Sequence, residues 1–405
     1  MKNLLLFSFI FFCFTKSYSQ TAEDYSNSGY VKFVKKDYYG AIEDFDKAIK
    51  LNSNSEAIFA IRGNAKIVLQ NYKDAILDFD EAIKINPYFS IAYLNRGMAK
   101  NHLQKFNNAI LDFNKAIELN PKDYNAYFNR GLSNSELNKY NIAIEDYNKA
   151  IELNPNFDIA YAFRGSLKNE FKKYNEAILD CNKAIEINPN SFQAFGNRGN
   201  SKKELGDYKG AILDYNKSIE INPDSEKPYY NRAIVKSYLK DYDGTIEDLT
   251  KVIKLNPLKE DAYELRGDSK SALKKYEEAI LDFTKAIEIN SNNELNYLRR
   301  ANSKSLLKDY QGAILDYNKA IEINPNKEYV YQKRGYFKYI LKNYDGAILD
   351  YSKAILLKPN NELAFIQRGL VKLEIKQKDS ACLDFSKAKE LGSKEAYEMI
   401  KKYCK

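Results

Sequence analysis

Residues 90–123 read SIAYLNRGMAKNHLQKFNNAILDFNKAIELNPKD. Ala92, Tyr93, Gly97 and Leu103 lie on a first helix, and the polar pair Gln104–Lys105 breaks it. From Phe106 onward, Ala109, Ile110, Phe113, Ala116 and Ile117 make one apolar stripe at helical period, which predicts a second helix. Asn120–Pro121 stops that helix, because proline drives the residue before it out of helical geometry. Gly97, Ala109 and Ala116 are small and let the two backbones approach; Tyr93 and Phe113 fill the remaining space. The segment is a helical hairpin with more apolar surface than it can bury alone.

The hairpin recurs with a period of 34 residues. Ten of the eleven arginines share one phase: Arg62, Arg96, Arg130, Arg164, Arg198, Arg232, Arg266, Arg300, Arg334 and Arg368. Eight of the nine prolines share another, from Pro87 to Pro359. The alanine opening the second helix returns from Ala41 to Ala381, with Thr245 as the one substitute. Eleven units therefore run without insertion over 22–395. Repeats of this size bury their apolar faces by stacking on their neighbours, so length here does not imply two or three globular domains. The expectation is an all-α solenoid, on the order of 100 Å long if successive layers pack at ~10 Å.

The unit resembles the tetratricopeptide repeat family, whose 34-residue helix–turn–helix places an aromatic, a Gly, an Ala–aromatic–Ala set and a closing Pro where this chain has Tyr93, Gly97, Ala109, Phe113, Ala116 and Pro121. The resemblance implies a right-handed superhelix with a concave groove lined by first helices, a protein or peptide as partner, and no cofactor. The flanking residues of the first helices then become the groove: Leu94, Asn95 and Met98; Phe128, Asn129 and Leu132; Asn197 and Asn200; Tyr230 and Asn231; Tyr336 and Tyr339. Asn carries both a donor and an acceptor for a peptide backbone, and aromatics supply anchors. An equal reading is that the repeat keeps Asn merely as a helix-compatible polar residue. The family's carboxylate clamp for acidic chaperone tails is incomplete: Asn200 and Asn231 match, but Gly196, Asp261 and Leu265 stand where cations are needed.

Two departures from the family pattern occur together. Arg96 and its equivalents take a place usually held by Leu, and Asp112 and its equivalents, among them Asp146 and Asp214, take one often held by an aromatic. We expect a ladder of partly buried Arg–Asp pairs, including Arg96, Arg130 and Arg198, because the planar guanidinium binds a carboxylate at two points. The alternative is that Asp112 pairs with Lys115 on an exposed helix face. Against it, a solvated arginine would tolerate lysine, and this lysine-rich chain never uses lysine there. Spacing leaves open whether each Asp meets the Arg of its own unit or of the next.

The two ends differ from the array. Lys2, the apolar run Leu4–Phe14 and the small residues Ser17 and Ser19 make 1–19 a signal peptide, with an uncleaved anchor as the alternative. That predicts export to the periplasm or beyond. At the other end, 396–405 is expected to form a helix capping the stack. Cys382 and Cys404 would then stand at adjacent helix ends, as either a disulfide or two free buried thiols; Cys181 replaces a core aromatic.

The composition argues against chemistry. Net charge is +8, but 63 basic residues are interspersed with 55 acidic ones, which describes a solvated helical surface and not a nucleic-acid site. The only histidine, His102, is read as a solvated groove residue; one histidine supplies neither a metal cluster nor a nucleophile–base pair. No glycine-rich phosphate loop is present, and no segment after the first nineteen residues is apolar enough to span a membrane. The functional expectation is a non-catalytic scaffold holding a protein or peptide partner, with a self-associating envelope protein as the alternative.

Overall fold

A computed structural model describes residues 20–51 and 54–404. The expected signal peptide at 1–19, with Cys13, lies outside the described residues. Among the described residues 23 helices are present, α1–α23 in chain order, and no strand. They fall into two compact units, Met1–Pro189 with α1–α10 and Asn190–Lys405 with α11–α23. In each unit helices pack consecutively: a repeat's first helix lies against its second, and that second helix against the first helix of the next repeat. The hairpin quoted above is typical, with α5 at Ser90–His102 and α6 at Phe106–Leu119.

Two local devices set the hairpin. The residue after each first helix's C-cap is left-handed, Gln104 at φ 57° for example, and only Gly206 among these turns is a glycine. In the turn after α5, the Lys105 N–H donates to the Lys100 carbonyl and the Gln104 N–H to that of Asn101, so the helix end is satisfied as the chain reverses. At the other end, the residue before the proline that closes a repeat is extended: Asn120 has φ −139° and ψ 85°.

The core is one layer per repeat. Ala109, Phe113 and Ala116 are buried on α6, and Ala92, Leu94, Gly97 and Ala99 on α5. The Gly–aromatic contact is a close approach: a Cβ on Gly97 would stand 2.6 Å from the Phe113 ring. One repeat solves this from both sides. Ala233 replaces the glycine, and Leu249 replaces the aromatic beneath it.

Each repeat arginine binds the aspartate sixteen residues later, in its own repeat. Nη2–Oδ1 distances are 2.5 to 2.7 Å for all ten pairs, and Nε donates to the same carboxylate, as in Arg96–Asp112 at 3.0 Å. The aspartates are buried. Nine of them also take a lysine ammonium from the first helix, as Lys100 does at 2.7 Å. Asp146 is the exception, with Asn134 in the lysine's place. The third guanidinium nitrogen reaches back to the preceding repeat: Arg130 to Asn114, Arg232 to Asn216, Arg266 to Thr250. Beneath each guanidinium lies the ring three residues earlier, 5.4 to 5.7 Å away. Lys115, the alternative partner of Asp112, bonds Glu118 instead. The first repeat has no arginine: Ser28 and Lys32 hold Asp44, and there Lys47 does approach, at 3.6 Å.

The capping helix α23 spans Lys394–Tyr403, two residues earlier than the expected 396, because Ser393 accepts from the Ala396 N–H as its N-cap. Ala396 is buried against Ala388, Phe365 and Ile366. The structure joins Cys382 to Cys404, with Cα atoms 5.7 Å apart, and keeps Cys181 buried outside this disulfide.

Candidate partner-binding face

Helix order decides which surface is open. A second helix is covered on its apolar side by first helices, whereas first helices of neighbouring repeats also touch one another: α3 (Glu56–Val68) meets α5, and α19 (Glu328–Ile340) meets α21 (Glu362–Glu374). The strip along these first helices carries the expected groove residues, and they divide into three kinds.

Leu94 and Phe128 do not belong to the open face. Leu94 packs in the core with Ala109 and Phe113, and Phe128 is ringed by Tyr147, Phe157 and Phe163 at centroid distances of 5.0 to 5.6 Å. Two residues before the arginine, the helix side turns inward toward second helices, which excludes these two from contact with a partner.

The asparagines bond to one another and to their own framework. Asn95 donates to Asn64 of the preceding repeat at 2.8 Å, and Asn231 donates to Asn200 at 2.9 Å. Asn200 also accepts from the Tyr215 hydroxyl. Asn129 donates to the Asn125 carbonyl, while Asn101 connects Asn129 to Ser133. Asn197 is half-buried on the same helix as Asn200. Much of this amide stripe is therefore engaged in stitching neighbouring first helices.

Of the remaining residues, Met98, Leu132 and Tyr336 line open depressions, whereas Tyr230, at the same phase as Leu94 and Phe128, packs against the core beside Ala233 and Leu249. Met98 and Leu132 border a cavity of about 380 Å³ with Asn101, His102, Phe106 and Glu136. His102 is exposed and stacks on Tyr72, 4.5 Å between centroids and 5° between planes. In the other unit, Tyr336 is 45 % exposed and borders a cavity of about 260 Å³ with Tyr329, Gln332, Lys333, Leu363 and Gln367. Gln332 and Gln367 share a hydrogen bond of 3.0 Å on its floor. Tyr339 reaches Glu374 at 3.5 Å. Tyr230 lies under the Lys259 ammonium; burial pushes its phenol up to about 12, so it stays neutral and a hydrogen-bond donor at physiological pH.

One polar cluster on this face lies beyond the sequence reading. Arg299 spans Glu264, at 2.8 Å, and Asp268, at 3.2 Å, on the preceding repeat, and Asn293 and Asn296 converge on Glu260 beside it. The signal was in the sequence, since Arg299 is the one arginine out of phase with the other ten. Among the described residues no group of three His, Cys, Asp or Glu is placed to hold a metal ion, and no helix is long and apolar enough to cross a membrane.

A stack of 34-residue helical hairpins, open along its first helices, defines a repeat solenoid. Models of the tetratricopeptide repeat match residues 90–123, 124–157, 159–191, 260–293, 296–327 and 329–361, and a related TPR repeat model matches 199–236, more than half of the chain in all. The chain belongs to the tetratricopeptide repeat family. Among solved structures it is similar to a tetratricopeptide repeat protein from Parabacteroides merdae, at 24% identity over 61% of this chain and 98% of that one, TM-score 0.48. It is similar to MamA at 24% identity over 40% and 94%, TM-score 0.39, and to yeast Tom70 at 17% identity over 93% of each chain, TM-score 0.38. A comparison with curated proteins finds no match.

Proposed function

We propose that this protein is a binding scaffold, without turnover, that holds a protein or extended peptide along its first-helix face. The observation that carries this is the pair of open depressions, one lined by the half-buried apolar side chains Met98 and Leu132 beside Asn101, the other by the exposed rings Tyr329 and Tyr336 beside Gln332. Large rigid rings give contact area at low entropic cost, and amides fix a peptide backbone. The partner is met by these side chains and not by Asn95 or Asn200.

Export belongs to the same reading. The segment 1–19 directs the chain out of the cytoplasm, and the Cys382–Cys404 bridge suits an oxidising compartment, the periplasm or the exterior. Cell fractionation with mass spectrometry of the N-terminus tests this. A protein starting at Gln20 outside the cytoplasm is expected, and an intact cytoplasmic chain would refute it.

Photoreactive side chains test the face. Placed at Met98, Leu132 and Tyr336 in cells, they should give discrete adducts that the same probe at Leu77 and Leu179, on second helices, does not. Adducts from the second-helix positions alone would place recognition elsewhere.

A further inference from the structure

The outward side of the second helices carries a second periodic feature. In the unit Asn190–Lys405, Leu281, Leu315, Leu349 and Leu383 occupy the same phase of α16 (Tyr276–Ile289), α18 (Tyr310–Ile323), α20 (Tyr344–Leu357) and α22 (Lys378–Glu390). They are 67, 57, 70 and 73 % exposed. Leu356, two turns beyond Leu349 on the same side of α20, is 70 % exposed. Single exposed leucines need no explanation, but four consecutive repeats aligned at one phase make a row of apolar side chains. Elsewhere the phase is interrupted by Glu43, Glu145 and Glu247.

Charge flanks the strip in a fixed order. Four residues before the leucine, on the same helix side, stand Glu277, Asp345 and Asp379, with Gln311 in the remaining repeat; four after it stand Lys285, Lys319, Lys353 and Lys387, of which all but Lys353 also bond a glutamate of their own helix. All are exposed. The three acids make no ion pair with any described residue.

We propose that this strip is a homodimer surface, on which a second copy of the chain packs leucine row to leucine row about a two-fold axis running along the stack. Three observations select that occupant. A row repeating at ~10 Å is matched along its whole length by a partner of the same period, and this chain is one. A two-fold along the stack reverses the helix direction, which sets the acidic row of one copy over the lysine row of the other; the perpendicular two-fold would set lysine over lysine. The area is that of a weak, reversible dimer: a rise of eight residues of helix, from the acid to the lysine, by four helix widths is about 480 Å² per copy, or roughly 960 Å² in all. This surface lies on the second helices and does not depend on the first-helix reading.

Sedimentation equilibrium on the purified protein tests it. A monomer–dimer equilibrium is expected, weakened about a hundredfold by Leu315→Glu with Leu349→Glu. The equivalent pair Leu111→Glu with Leu179→Glu, at the same phase in the other unit, should leave it unchanged. Lys353→Glu should weaken it about tenfold and Lys353→Glu with Asp345→Lys should restore it, which a merely misfolded variant could not do. A protein monomeric at about 100 μM overturns the proposal. So does a dimer indifferent to the leucine pair, or a monomer that uses these leucines to bind anionic lipid vesicles.

Discussion

Repeats 124–157 and 192–225 share a frame, and two of the positions at which they differ touch the buried aspartate and the buried tyrosine. In the second, Lys202 joins Arg198 on Asp214, and Asn200 accepts the Tyr215 hydroxyl. In the first, Asn134 takes the lysine's place and Leu132 the asparagine's. The consequences follow directly. Burial pushes the Asp146 carboxyl above its usual range even though Arg130 and Asn134 bond it. The Tyr147 hydroxyl is buried with no hydrogen-bond partner among the described residues. The ladder is thus a three-group assembly, in which the arginine neutralises the carboxylate at two points and the lysine adds a second positive charge beside it.

Removing the arginines should separate the two repeats most. Arg130→Ala leaves Asp146 facing a neutral amide and should cost about 3–5 kcal/mol by chemical denaturation, whereas Arg198→Ala leaves Lys202 in place and should cost roughly 1–2 kcal/mol less. Equal losses would show that the lysine contributes nothing. Repairing the poorer site is the converse: Asn134→Lys should gain about 1 kcal/mol at neutral pH. Because the folded pKa of Asp146 is raised, its ionised form costs stability as pH rises through that value, and the cost is absent below the unfolded value of about 3.9. The gain from Asn134→Lys should therefore disappear in melts below that pH, and a pH-independent gain would argue for packing instead.

The tyrosines give a smaller pair of opposite signs. Tyr147→Phe removes an unsatisfied hydroxyl and should be neutral or stabilising by up to about 1 kcal/mol, while Tyr215→Phe breaks a bond to Asn200 and should cost about 1 kcal/mol. Smallest is the turn between the helices, where Gly206 serves one repeat and Asn138 (φ 59°) the other. Asn138→Gly should change stability by only a few tenths of a kcal/mol, since Asn tolerates this conformation, whereas Lys308→Gly should gain about 1 kcal/mol. Thermal melts of the four variants check these signs.

Most of the fold was legible because periodicity reports directly on environment. An arginine kept at one phase in ten repeats has one set of partners, and the structure gives it Asp, ring and preceding repeat each time. Pairing within the repeat was not legible, since an aspartate sixteen residues ahead and an arginine eighteen residues beyond it are equally near along the chain. The open face was read less well, for a steric reason. A first helix is embraced on two sides, so the exposed arc is narrow, and a shift of about 100° per residue moves Leu94 or Phe128 from solvent to core. The asparagines were ambiguous because a side chain that can grip a peptide can equally grip the next asparagine, as Asn95 and Asn231 do. Arg299 was visible as an exception to the ruler, but an exception in sequence does not say what it touches.

Because every buried carboxylate is neutralised inside its own 34 residues, whole hairpins can be added or deleted by gene duplication without leaving a stranded charge at the seam. What a new neighbour must supply is one modest acceptor for a guanidinium nitrogen, and Asp, Asn, Thr and Ser all serve. Length in such a protein is therefore easy to vary, and the number of copies can follow the size of whatever it holds.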